Sequence, residues 1–160
     1  MAEYAGKTWI LTGAIENFRI NVERGFDPIG FKERRRLQAR EFERGDEIVF
    51  YVTGVQAFGG IARVTSEMFE DRERIWPGVK KGKANAKREP YPWRVHAEPV
   101  LVLPEDRFVP AEELDELEHA AKWPREHWHL AFQGQLRTVG DADAALLRER
   151  LEAAVAVASG

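Results

Sequence analysis

Aromatic rings set beside glycine or proline are the residues of this chain whose type and spacing could do chemistry. They stand as Gly30-Phe31, Phe58-Gly59, Trp76-Pro77 and Tyr91-Pro92-Trp93-Arg94. Most of the nine Phe, five Trp and three Tyr fit the core of a small β-rich fold. Rings in loops next to polar side chains are also what a stacking site for a flat heterocycle needs. Each stacked base contributes on the order of 1–3 kcal/mol.

Other chemistries find no carriers. There is no cysteine, so thiolate catalysis, thiolate metal sites and disulfides are excluded. No phosphate-binding loop, G-x-S-x-G elbow or G-x-G-x-x-G turn occurs. The serines are Ser66 and Ser159, the latter in the terminal tail. The histidines are His96, His119, His127 and His129. The last two are two residues apart, which on a helix sends them to different sides. Glu70-Asp71 is a close acid pair, but neighbours on a strand point opposite ways and make a poor acid–base couple. The expectation is a protein that is not an enzyme and takes no metal and no cofactor.

The elements that must position the rings follow from pattern. Thr8–Thr12, ended by Gly13, predicts a strand, and Asp46–Thr53, entered through Gly45-Asp46 and closed by Gly54, a stronger one. Between them come a short helix around Phe18–Arg24, a loop with Gly25, Pro28 and Gly30, and a charged helix over Lys32–Glu43. Gly59-Gly60 marks a turn or bulge before a strand at Ile61–Thr65. Pro77–Pro90 carries Lys80, Lys81, Lys83, Lys87 and Arg88 with almost nothing to bury, and reads as a solvated, flexible loop. Trp93–Leu103 reads as a strand bent at Pro99. Helices are expected at Pro110–Ala121, at Pro124–Phe132 and from Asp141, the last with an apolar face of Leu147, Leu151, Ala154 and Val155. Strands come mainly before helices, which favours an α+β fold, a mostly antiparallel β-barrel decorated by helices, over a doubly wound sheet.

The chain has 160 residues, 44% hydrophobic and 32% charged, enough for one domain over 1–160 with its own core. No apolar run approaches the ~20 residues of a membrane span, and Met1–Tyr4 lacks signal-peptide character. A soluble, monomeric, cytoplasmic protein with no membrane partner is expected. Net charge is −3, split as +4 over residues 1–94 and −7 over 95–160. The basic pole could meet a nucleic acid, although solvated helix faces and loops are the commoner source of such charge.

Four stretches, in order, resemble the EVE family of the PUA-like superfamily, to which YTH domains also belong. They are Trp9–Gly13 with Glu16-Asn17-Phe18; Gly25-Phe26 with Gly30-Phe31-Lys32; Gly45–Gly54 with Phe58-Gly59-Gly60-Ile61; and Phe69-Glu70-Asp71 with Ile75-Trp76 and Tyr91–Val95. The end of the chain, Pro110 to Leu151 with Trp128 and Phe132-Gln133-Gly134, is similar to the family's helical end. The resemblance implies a PUA-like barrel and a module that receives a methylated or otherwise modified base, flipped from DNA or RNA, in an aromatic pocket. On that reading Phe31, Trp76 and Tyr91 supply walls, and Asn17 offers donor and acceptor to the pairing edge. Thr53 and the backbone near Gly30 add to them, and Tyr51 and Arg94 complete the ligand-binding set. Arg34, Arg35, Arg36, Lys80, Lys81, Lys83, Lys87 and Arg88 serve the phosphates. Relatives place a tryptophan near the position of Phe31, whose smaller ring stacks less. Each residue has a plainer role open to it. Asn17 fits a helix cap, Tyr51 and Thr53 fit ordinary strand positions, and Arg34–Arg36 fits a solvated face. The alternatives in function are a small-molecule or protein-binding adaptor and a nucleobase-acting enzyme.

Overall fold

The computed structural model describes residues 6–76, 91–114, 117 and 136–159. The strongest strand pattern becomes the middle of the larger sheet: β3 (Glu47–Val52) is buried at every residue. It runs parallel to β1 (Thr8–Gly13), Thr8 opposite Glu47 through Gly13 opposite Val52. On its other side it pairs antiparallel with β4 (Ala57–Val64), and β4 with β7 (Ala97–Val102) and β8 (Val109–Pro110). The order is β7-β4-β3-β1-β9, with β8 beside β4 and β9 at Leu136–Val139. A second, antiparallel sheet has the order β2-β6-β5, from Ile29–Phe31, Trp93–Val95 and Phe69–Glu70. Among the described residues three helices accompany them: α1 (Ile15–Glu23), α2 (Arg36–Ala39) and α3 (Asp141–Ser159). This is an α+β fold of mostly antiparallel strands. The described pairings trace two sheets and do not close a ring.

Alternation along β3 divides the interior in two. Val49 and Tyr51 join Ile10, Phe58, Ile61 and Leu101 in a layer covered by Leu147 and Leu151 of α3. Ile48, Phe50 and Val52 face the other way, toward Phe18 of α1, Ile29 and Phe31 of β2, and Val95 of β6. The Gly45-Asp46 turn has its own reason. Asp46, 1% exposed, accepts the Lys7 and Glu43 backbone N–H groups at 2.9 and 3.1 Å and the Trp9 indole N–H at 3.0 Å. One carboxylate thereby fixes the start of β1 against the entry to β3. Glu47 does the same for α3, pairing with Arg63 of β4 at 3.0 Å and with Arg148.

The structure differs from the sequence expectation where elements are short. The predicted helix over Lys32–Glu43 is a 3-10 turn (Glu33–Arg35) followed by the single turn of α2. β2, β8 and β9 form where no strand was predicted. The Trp93–Leu103 strand divides at His96 into β6 and β7, members of different sheets. Gly59-Gly60 lies inside β4: Phe50 opposes Gly60 and Tyr51 opposes Phe58, which leaves Gly59 as the bulged residue. A Cβ on Gly59 would lie 2.9 Å from the rings of Phe18 and Phe108. Of the helix expected at Pro110–Ala121, a 3-10 turn at Ala111–Glu113 and buried Leu114 and Leu117 are seen. The Pro77–Pro90 loop and the Pro124–Phe132 helix fall outside the described residues. No helix among the described residues is long and apolar enough to cross a membrane.

Candidate functional site

The first turns of α1 put Asn17 and Asn21, four residues apart, on one side of the helix. Asn17 donates from Nδ2 to Tyr91 Oη at 3.3 Å. Asn21, 7% exposed, accepts the Trp76 indole N–H on Oδ1 at 2.8 Å. The two rings so held meet edge to face, centroids 5.7 Å apart at 77°. Beneath them passes Gly30 of β2. A Cβ there would lie 2.5 and 2.7 Å from Trp76 Cζ3 and Cη2, and 3.0 Å from Tyr91 Cβ. Only glycine lets the strand approach the indole this closely.

Arg94 of β6 holds both shoulders. It is fully buried, with its Cζ 5.1 Å from the Trp76 ring centroid. Its Nε donates to the Tyr91 carbonyl at 3.0 Å and its Nη2 to the Glu73 carbonyl. Its Nη1 lies 3.5 Å from Asp71 Oδ2. Burial pulls its guanidinium below the ordinary value, and the charges of Asp71 and Glu73 act the other way. The carbonyl it grips belongs to a residue at φ +54°, a conformation an aromatic residue holds only where its surroundings enforce it.

In an antiparallel sheet, directly opposed residues share a face. Gly30, Arg94 and Phe69 oppose one another in turn, as do Phe31, Trp93 and Glu70. The site therefore lies on the first of these faces. His96 stacks on Phe69 at 4.5 Å and bonds Asp27 at 2.7 Å.

Asn17, Gly30, Trp76, Tyr91 and Arg94 are thus brought together. Phe31 is not among them. It is 2% exposed and stacks on Phe42 at 5.1 Å in the core, because its neighbour Gly30, not Phe31, faces the indole. Tyr51 is also displaced: strand alternation puts it on the α3 side of β3, edge to face with Phe58. Burial pushes its hydroxyl up to about 12. Thr53 is exposed at the end of β3 and anchors the Gly13 carbonyl through its N–H at 2.9 Å and its hydroxyl at 3.3 Å. It thereby fixes the β1–α1 junction, one turn ahead of Asn17. Arg94 is a strut behind the rings and not an exposed ligand contact. Arg34 and Arg35 lie in the 3-10 turn after β2. Lys80, Lys81, Lys83, Lys87 and Arg88, with His119, His127, His129 and Trp128, fall outside the described residues. Sequence reasoning missed Asn21; its four-residue spacing from Asn17 was the available signal.

The family model of the EVE domain matches residues 7–149. Among solved structures, a hypothetical protein from Leishmania major superposes with a TM-score of 0.60 at 19% identity, covering 92% of this chain and 96% of that one. Human THYN1, in complex with 5-methylcytosine containing DNA, gives 0.54 at 14% identity, covering 89% and 95%. The YTH domain of Zygosaccharomyces rouxii MRB1, in complex with N6-methyladenosine RNA, gives 0.61 at 11% identity, covering 94% and 90%. These likenesses show the fold. No curated protein matches the chain.

Proposed function

The chain belongs to the EVE domain family, and on that premise we propose that it is a nucleic-acid-binding module that receives a modified base at Trp76 and Tyr91. The observation that carries this reading is the pairing of two aromatic rings with two amide side chains over a glycine. Rings supply stacking, and Asn17 supplies a donor and an acceptor for a pairing edge. The solved complexes of THYN1 with 5-methylcytosine DNA and of the MRB1 YTH domain with N6-methyladenosine RNA support the ligand class. Edge-to-face rings 5.7 Å apart leave no slot for a third ring. In this reading a base enters as Trp76 or Tyr91 turns aside, and the Asn17–Tyr91 bond gives way to one with the base.

The proposed module binds without turning over its ligand and works as a cytoplasmic monomer. The test is a fluorescence titration with oligonucleotides carrying 5-methylcytosine or N6-methyladenine, each against its unmodified counterpart. Preference for one modified oligonucleotide, recovered chemically unchanged, supports the reading. Equal affinity for all overturns the base-reading part, and a converted base overturns the assignment as a binder.

A further inference from the structure

Residues 32–44 carry six cations, Lys32, Arg34, Arg35, Arg36, Arg40 and Arg44, against Glu33, Glu41 and Glu43. Several arginines elsewhere are engaged by acids: Arg19 with Glu105, Arg63 with Glu47, Arg94 with Asp71, and Arg148 with Glu47. Arg72, beside the ridge, is held by Glu70 at 2.6 Å and by Glu33 at 3.2 Å. Among the described residues, Lys32, Arg34, Arg36, Arg40 and Arg44 form no ion pair. Arg36 lies over the Trp93 indole, 5.3 Å from its centroid, and Arg40 follows one helical turn later on the same side. Leu37, between them, is 65% exposed. Burial, and then the adjoining Arg34 charge, hold Arg35 below its ordinary value. The ridge is a local excess of positive charge that an anion relieves.

We propose that this ridge binds the phosphodiester backbone of the strand whose base the Trp76–Tyr91 site receives, at phosphates flanking that base. The proposal rests on the base-reading function and adds where the polymer runs. Trp93 and Arg94 are consecutive on β6, so their side chains leave the small sheet by opposite faces. Arg36 packs on Trp93 and Trp76 lies over Arg94, so ridge and site flank one sheet. A strand must therefore pass the sheet edge, where residues 71–72 contribute Asp71 to one side and Arg72 to the other. A nucleoside reaches the site alone, while a longer strand reaches both.

The test is a length series, from about 3 to about 11 nucleotides, with 5-methylcytosine or cytosine at the centre, measured at several salt concentrations. Wild-type affinity is expected to climb as the flanks lengthen. Arg36→Gln/Arg40→Gln should abolish that gain. It should weaken long modified and unmodified strands alike by about tenfold or more, and lower the salt slope by about 1.4. Because Arg36 packs on Trp93, Arg34→Gln/Arg40→Gln provides a second pair of exposed positions with the same expectation. Folded variants of both kinds with wild-type affinity and salt slope at every length would overturn the proposal. Failure of the base-reading function looks different: the length and salt effects persist without preference for 5-methylcytosine.

Discussion

The guanidinium of Arg94 lies 5.1 Å from the centre of the Trp76 ring and is fully shielded from water. Because the same group binds the carbonyls of Tyr91 and Glu73, one side chain sets the distance between the two shoulders of the site. Arg94→Met is expected to lower stability by ~2–4 kcal/mol, since two carbonyls lose a charged donor. Urea denaturation measures this loss. Arg94→Lys, with a single point charge, should recover part of the stability and little of the base preference. Full preference in a folded Arg94→Met protein would show that the strut does not position the rings.

Gly30 gives a steric test. Alanine there would set a methyl carbon 2.5 Å from Trp76 Cζ3. The indole must move, at a cost on the order of 1–3 kcal/mol. The expected result is a folded protein with shifted tryptophan fluorescence and reduced base preference. Unchanged fluorescence would mean that the close approach is not maintained in solution.

Tyr51 makes stability fall at high pH. Its hydroxyl titrates at about 12 in the folded chain and near 10 when unfolded. The folded state thus favours the protonated form. The contribution is complete below the unfolded value and is lost as pH rises from about 10 to about 12, by roughly 2–3 kcal/mol. Tyr51→Phe should flatten that loss in denaturation curves across the same range.

Asp46 anchors three donors with one carboxylate. Asp46→Ala is expected to cost about 3 kcal/mol, because the buried Trp9 indole N–H and two backbone N–H groups lose their acceptor. Thermal unfolding reads this directly. In the variant that stays folded, base preference should be unchanged, since none of these groups touches Asn17, Trp76 or Tyr91.

Elements with a complete local pattern were legible in the sequence. β3 is an unbroken apolar run behind a Gly-Asp turn, and α3 repeats Leu147, Leu151 and Val155 on one face. β2, β8 and β9 are two to four residues long, and their strand geometry comes from partners distant in the chain. β2 is held by β6, more than sixty residues later, as Ile29 opposes Val95. The same limit governed the site. Nothing local tells Gly30 from Phe31 as the residue under the indole, because a one-residue change of register exchanges the faces. Trp76 and Tyr91 were singled out by their loop settings, and Asn17 by the family resemblance. Asn21 was not, because its partner Trp76 lies 55 residues away.

The central claim is that Asn17 and the two rings distinguish one base from another. The most direct measurement is the affinity of wild type, Asn17→Ala and Trp76→Phe for matched modified and unmodified oligonucleotides at several salt concentrations. The account predicts that the wild type prefers one modified strand and that each variant loses on the order of 1–3 kcal/mol of that preference. The salt slope should stay as in the wild type, because neither residue meets a phosphate. A wild type that binds every strand alike, or folded variants that keep its full preference, would contradict it.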